Sequence, residues 1–157
     1  MTVSETPTFS MPMDVQAIRH YLPHRYPFLM LDRVTELEPM KRIVAFKNVT
    51  INEELFNGHF PQLPVFPGVM IVEAMAQACG VLGFASSNKT PADGSVYLFA
   101  GIDDVRFKRQ VQPGDQLVFE CEYVSHRRGI WKFSCKASVD GKLVTSANIM
   151  CADRPVA

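Results

Sequence analysis

This chain of 157 residues has no excess of charge of either sign: 16 Lys and Arg balance 16 Asp and Glu, and the formal net charge is zero. That balance argues against a protein built mainly to grip a nucleic-acid backbone, while leaving room for a local basic patch. Cysteine is sparse and unpatterned. None of Cys79, Cys121, Cys135 and Cys151 forms a CxxC pair, and no histidine stands at zinc-ligand spacing from any of them. The reading is four reduced, buried thiols in a cytosolic protein, with neither a metal nor a cofactor indicated. The N-terminus has no basic stretch leading into an apolar one, so no secretory signal is expected and the chain is assigned to the cytoplasm. Only one run, Val69 to Ala85, approaches the length of a membrane span. It contains Glu73 and Gln77 and follows Pro67-Gly68. A span rarely carries an unpaired carboxylate, so a buried helix is the better reading.

What is present suits one packed domain. Apolar residues make up 47% of the chain and charged residues 20%, ordinary values for a globular fold. A chain of this size buries roughly 70% of its unfolded surface. Residues 1–13, rich in Thr, Ser and Pro, are expected to be a disordered tail, with the domain over 14–152 and a short tail over 153–157. Asp14 can cap a helix over Val15–Tyr21, and Pro23 and Pro27 impose an irregular segment after it. Phe28–Val34 and Arg42–Thr50 read as strands, and Asn52–Pro67 as a long loop. Gly68–Phe84 reads as a helix, apolar nearly all round, which other elements must enclose. Ser95–Lys108 is strand-like. Leu117, Phe119, Cys121 and Tyr123 then alternate with more polar neighbours, as do Trp131, Phe133, Cys135, Ala137 and Val139. Arg127-Arg128-Gly129 marks a turn and Asp140-Gly141 a two-residue hairpin, before a last strand over Leu143–Cys151. The pattern predicts an α+β fold in which an antiparallel sheet wraps a central apolar helix.

The chemistry gathers in Asn57–Gln77. His59 stands in a loop between Gly58 and Phe60-Pro61, where a stiffened backbone can hold an imidazole as a base near neutral pH. Most loop histidines are incidental. Glu73 is a stronger signal, because it is the one charged residue between Gly68 and Ser87. A buried carboxylate is costly, so it is paired or functional. Burial favours its neutral form and the helix start its anion. The plainer reading is a structural bond to Gln77, one turn on, and the two roles are compatible. Gly68 and Val69 offer unsatisfied N–H groups at the positive end of the helix, suited to a carbonyl oxygen that gains charge. Glu73 is four residues from Val69 and leans back toward it.

The stretch GHFPQLPVFPG followed by VMIVEAMAQ resembles the signature of the beta-hydroxyacyl-acyl-carrier-protein dehydratases, in the dehydratase-only branch of bacterial type II fatty-acid synthesis. Leu22-Pro-His-Arg-Tyr-Pro-Phe-Leu-Met-Leu-Asp-Arg-Val34 resembles the family's N-terminal motif. Gly101-Ile-Asp-Asp-Val-Arg-Phe-Lys-Arg109, with Pro113-Gly-Asp115, resembles its later one. Phe66 departs from the pattern, since the family more often has Met there. The acidic residue is Glu, as in the dehydratase-only branch, whereas the branch that also isomerises has Asp.

The resemblance implies a hot-dog fold and two sheets joined edge to edge in a homodimer at least, with hexamers as trimers of dimers. It implies dehydration of a (3R)-hydroxyacyl thioester on acyl carrier protein, in the cytoplasm, without nucleic acid or membrane. His59 would be the base, Glu73 the acid, the Gly68 N–H (with Val69) the carbonyl holder, and Gln77 a support. Each site would draw His59 and Glu73 from different subunits. Phe60, Tyr97 and Phe99 are candidates to line an acyl tunnel. Arg106, Lys108, Arg109, Arg127, Arg128 and Lys132 are candidates to receive the acidic carrier. His20, His24 and His126 read as non-catalytic. Two alternatives stand beside this. A hot-dog thioesterase would hydrolyse the same thioester. An acyl-binding sensor would need an attached DNA-binding module, for which no room is expected before Leu22 or after Cys151.

Overall fold

In the computed structural model, residues 9–156 are described. Asp14 starts α1 (Val15–Tyr21) by accepting the Ala17 N–H at 3.0 Å, replacing a bond that the first turn of a helix lacks. β1 (Arg33–Glu38) and β2 (Arg42–Asn48) form a hairpin. A 3-10 turn over Glu54–Asn57 opens the long loop that leads to α2 (Gly68–Ser87). Four long strands follow: β3 (Ser95–Phe107), β4 (Gln116–Arg127), β5 (Ile130–Val139) and β6 (Lys142–Pro155). All pair antiparallel in the order β1-β2-β4-β5-β6-β3. Two-residue turns join β4 to β5 and β5 to β6, with φ of 53° and 76° at Arg128-Gly129 and 51° and 76° at Asp140-Gly141. Positive φ at both positions matches the right-handed twist of the flanking strands.

The alternating pattern of the late strands sets the core. Leu117, Phe119 and Cys121 of β4 and Trp131, Phe133, Cys135 and Ala137 of β5 are buried, as are Met75, Ala78, Cys79, Val81 and Leu82 of α2. The sheet wraps the helix in the hot-dog arrangement. In length and hydropathy α2 would pass for a membrane span, but 72% of that window is buried inside the fold. The core also gathers three sulfurs that sequence spacing did not connect. Cys79, Cys121 and Cys135 bring theirs within 4.8 Å of one another, and burial pushes the Cys79 thiol well up. They pack the seam between helix and sheet.

Four expectations need correction. Phe28–Val34 is not a strand. β1 begins at Arg33, because the backbone of Phe28 and Met30 bonds to a side chain of α2 instead of a neighbouring strand. β2 stops at Asn48, and Val49 bonds to Asp115 across the loop. α2 runs past Phe84 to Ser87, whose hydroxyl donates back to the Gly83 carbonyl at 2.9 Å, and left-handed Asn88 closes it. The tails are shorter than expected. Of residues 1–13, residues 1–8 lie outside the described residues, while Met13 is buried and bridges Val34. At the other end β6 pairs through Arg154 and Pro155 with Val96 and Ser95.

β3 occupies a sheet edge, and its exposed residues include large apolar ones beside Asp103, Asp104 and Arg106. Leu98, Phe99, Ile102 and Phe107 are each more than 40% exposed. Unprotected edges of this kind invite pairing with another chain.

Candidate active site

α2 carries Glu73 and Gln77 one turn apart. Gln77 is buried and its amide is fully used. Its Oε1 accepts the Met30 N–H at 2.8 Å; its Nε2 donates to the Phe28 carbonyl at 2.7 Å and to Glu73 Oε1 at 2.9 Å. A single side chain therefore ties the irregular Phe28–Met30 segment to the helix and fixes the carboxylate. Glu73 retains some exposure and opens on a cavity of about 170 Å³. Leu22, Pro23, Gly80, Phe84, Tyr97 and Phe99 are among the residues that line it. Burial raises the Tyr97 phenol well above its usual value and pushes the Cys151 thiol, also in the wall, up to about 12. Both stay neutral, and the wall around Glu73 holds one other titratable group, a histidine.

That histidine is His24. Its Nε2 lies 3.5 Å from Glu73 Oε1. It was set aside on sequence, where nothing but its place in the Leu22–Phe28 motif marked it. The other two stand apart from the carboxylate: His20 packs edge-on against Tyr21, and His126 stacks on Trp131 at 3.9 Å. Burial pushes the His24 imidazole below the ordinary 6.5, and the neighbouring Glu73 opposes that only in part.

His59 is held separately. Its N–H donates to the Leu55 carbonyl at 3.0 Å and its own carbonyl accepts from Val65 at 3.1 Å. Its Nδ1 lies 2.7 Å from the Val65 carbonyl. A carbonyl can only accept, so Nδ1 carries the proton and Nε2 is left with a free lone pair. Phe60 stacks on this ring at 4.0 Å and lies outside the cavity that Tyr97 and Phe99 line. His59 does not line that cavity either, and within one chain the histidine paired with Glu73 is His24.

The loop between the two groups is pinned by a buried cation. Lys47 forms an ion pair with Glu53 at 2.8 Å and lies over the Phe66 ring. Phe66 is fully buried against Phe56, so the aromatic ring at this position braces the approach to α2. At the helix start, the Gly68 and Val69 N–H groups have no acceptor among the described residues, and Val69 is 73% exposed. Gly68 permits a close approach here: a Cβ would stand 2.6 Å from the Phe107 ring, which would have to swing aside. An apolar recess over Val69, Val72, Phe99, Ile102, Val105 and Phe107 shares Phe99 with the Glu73 cavity, so the helix start and the carboxylate open along the same strip of β3.

The basic candidates fall at separate places on the sheet. Arg106, Lys108 and Arg109 are exposed at the end of β3 nearest the helix start, and Arg109 borders the recess over Gly68. Arg127 and Arg128 sit at the β4–β5 turn, level with the opposite end of β3 across β5 and β6 through Ile130, Ala152 and Leu98. Lys132 lies between, opposite Ser125 on β4.

Comparison with known proteins now decides the family. Residues 22–148 match the FabA-like domain. A 3-hydroxyacyl-[acyl-carrier-protein] dehydratase FabZ of Teredinibacter turnerae is 71% identical over 92% of this chain and 99% of its own length. The protein of the same name from Saccharophagus degradans is 68% identical over the same shares. The chain belongs to the 3-hydroxyacyl-[acyl-carrier-protein] dehydratase family. It is a hydro-lyase of the dehydration step in fatty-acid biosynthesis. Among solved structures, the dehydratase heterocomplex ApeI:P from Xenorhabdus doucetiae superposes with a TM-score of 0.72 at 20% identity, covering 87% of this chain and 90% of that one. A hypothetical thioesterase with coenzyme A from Streptococcus pneumoniae gives 0.59 at 12%, covering 78% and 85%. At such identities these two show the dehydratase's fold alone.

Two outcomes follow from this geometry. Gln77→Leu leaves the buried Met30 N–H without a partner, at roughly 1–3 kcal/mol, and the part-buried Phe28 carbonyl as well, at less. Urea unfolding at fixed protein concentration should show the loss, and an unchanged midpoint would contradict the bracket. His24 should titrate below 6.5 by NMR. As pH falls from about 6.5, the unfolded chain takes up a proton that the folded imidazole resists, so stability declines toward the lower folded value. A midpoint at or above 6.5 would refute this.

Proposed function

We propose that the chain removes water from a (3R)-hydroxyacyl group carried as a thioester on acyl carrier protein, leaving the trans-2-enoyl thioester. His59 Nε2 takes the α proton. The electrons of that C–H bond move toward the thioester carbonyl, whose oxygen the Gly68 N–H holds with Val69 beside it. They return to form the C2–C3 double bond as the C3–O bond breaks and Glu73 gives its proton to the departing hydroxyl. Water leaves with His59 one proton richer and Glu73 one poorer, and exchange with solvent resets both.

The observation that carries this reading is Glu73. A carboxyl group on an enclosed apolar helix, bonded to Gln77 through one oxygen and facing an apolar cavity, suits a proton donor in a dry site. The acyl chain follows the cavity past Gly80 and Phe84, with Tyr97 and Phe99 along its wall and Phe60 at the His59 side.

The site is shared between subunits of a homodimer. His59 lies outside the Glu73 cavity of its own chain, and the exposed apolar residues of β3, at the sheet edge, support pairing with a second copy. A hexamer built as a trimer of dimers belongs to the same reading, and the exposed Tyr26, Phe28 and Leu63 offer apolar surface for it. The acidic carrier docks on the basic groups at Arg106, Lys108 and Arg109 and at Arg127, Arg128 and Lys132. The enzyme works in the cytoplasm.

His59→Ala and Glu73→Gln should each lower kcat by roughly 10²–10⁴-fold with the fold intact, followed through the absorbance of the conjugated enoyl product. A near wild-type kcat in either removes that residue from the mechanism, and release of free thiol without enoyl product would mean hydrolysis. Reversing Arg127 and Arg128 to Glu should raise KM for carrier-bound substrate and leave a carrier-free thioester unaffected. An unchanged KM would discard that half of the docking surface.

A further inference from the structure

The structure assigns a role to His24, resting on the reading of Glu73 as the acid: we propose that His24 is a positioning residue that, together with Gln77, occupies Glu73 Oε1 and so leaves Oε2 as the oxygen that delivers the proton.

Three observations support it. Glu73 Oε1 has two neighbours, Gln77 Nε2 at 2.9 Å and His24 Nε2 at 3.5 Å. Gln77 donates a hydrogen bond to it from α2, and His24 approaches the same oxygen from the segment between α1 and β1. Second, His24 Nδ1 is shut away from solvent and has no partner among the described residues. A neutral imidazole with its proton on Nε2 leaves only a lone pair unsatisfied at Nδ1. An imidazolium would bury an N–H without an acceptor, which costs more. The site therefore favours a neutral donor. Third, the segment is anchored independently of Glu73. Leu22 before it is buried, and the Arg25 guanidinium curls back on the Leu22 and His24 carbonyls at 2.8 and 2.6 Å.

The neutrality of the imidazole matters to the chemistry. A lysine or arginine at this place would hold Glu73 as a carboxylate, unable to give up a proton. A neutral imidazole N–H orients the group without that penalty. The other titratable groups facing His24 are Glu73 itself, Arg25 on its own segment, and the uncharged Tyr97 and Cys151 of the cavity wall. Burial and Arg25 both work against a charge on the ring.

The test is steady-state turnover of a (3R)-hydroxyacyl carrier-protein thioester by His24→Ala, His24→Gln and Glu73→Gln, with melting curves for each. Loss of orientation in His24→Ala should lower kcat roughly tenfold to a hundredfold, with KM within about threefold of the wild type. The glutamine amide can reach Oε1 from the same backbone position, so His24→Gln should recover kcat to within about fivefold of the wild type. A kcat for His24→Ala within about twofold of the wild type overturns the proposal, and so does a His24→Gln variant as slow as His24→Ala. If His24→Ala does not fold, His24→Gln decides alone: fast turnover supports the role and slow turnover refutes it. Glu73→Gln separates the two ideas. If it retains turnover, the assignment of Glu73 as acid has failed. If it is dead while His24→Ala is fast, only the role of His24 has.

Discussion

The constraint on which this structure turns is a carboxylate carried on a helix that a sheet encloses. An apolar helix inside a curved sheet is satisfied by packing alone, but Glu73 is not, because a charge or a carboxylic acid away from water needs partners. Those partners come from Gln77 on the same helix and from the segment between α1 and β1. The irregular backbone of Phe28–Met30 is part of the arrangement: its carbonyl and N–H bind the Gln77 amide rather than another strand. A local failure to form β-structure is thus what supports the polar group in the core.

The two groups proposed to react are held by unrelated means, which keeps their environments apart. His59 is fixed by its loop's own backbone bonds and by a carbonyl on Nδ1. The Lys47–Glu53 pair and the buried Phe66 brace the same loop from below. Glu73 is fixed from the helix and sits among neutral walls. In the proposed mechanism one group accepts a proton and the other, largely enclosed, gives one. Acid and base roles divide in this way when environment, not residue type, distinguishes the groups. The proposed association along β3 would bring them to a common substrate.

The scaffold itself is not what makes the chain a dehydratase. Structures at 12% and 20% identity share its helix and sheet and are described as a thioesterase and a dehydratase assembly. On the proposed reading, function then rests on what a few positions place around the helix start and the Glu73 cavity. Gly68 shows how narrow that tolerance is. The ring of Phe107 lies where a Cβ would stand, so a larger residue would push that ring aside, and the N–H groups at the tip have no acceptor among the described residues.

Sequence by itself determined what local periodicity and local chemistry decide. The cap at Asp14, the enclosed helix from Gly68, the hairpins at Arg128-Gly129 and Asp140-Gly141 and the alternating strands β4 and β5 were all legible, because each depends on residues a few positions apart. Gln77 beside Glu73 was legible for the same reason, being one helical turn away. Tertiary structure alone decided the rest. The fate of Phe28–Met30 hung on an amide 47 and 49 residues distant. The clustering of Cys79, Cys121 and Cys135 and the approach of His24 to Glu73 came from the way helix and sheet close on each other. Such contacts leave no trace in local spacing, because the chain meets itself there only after it has folded.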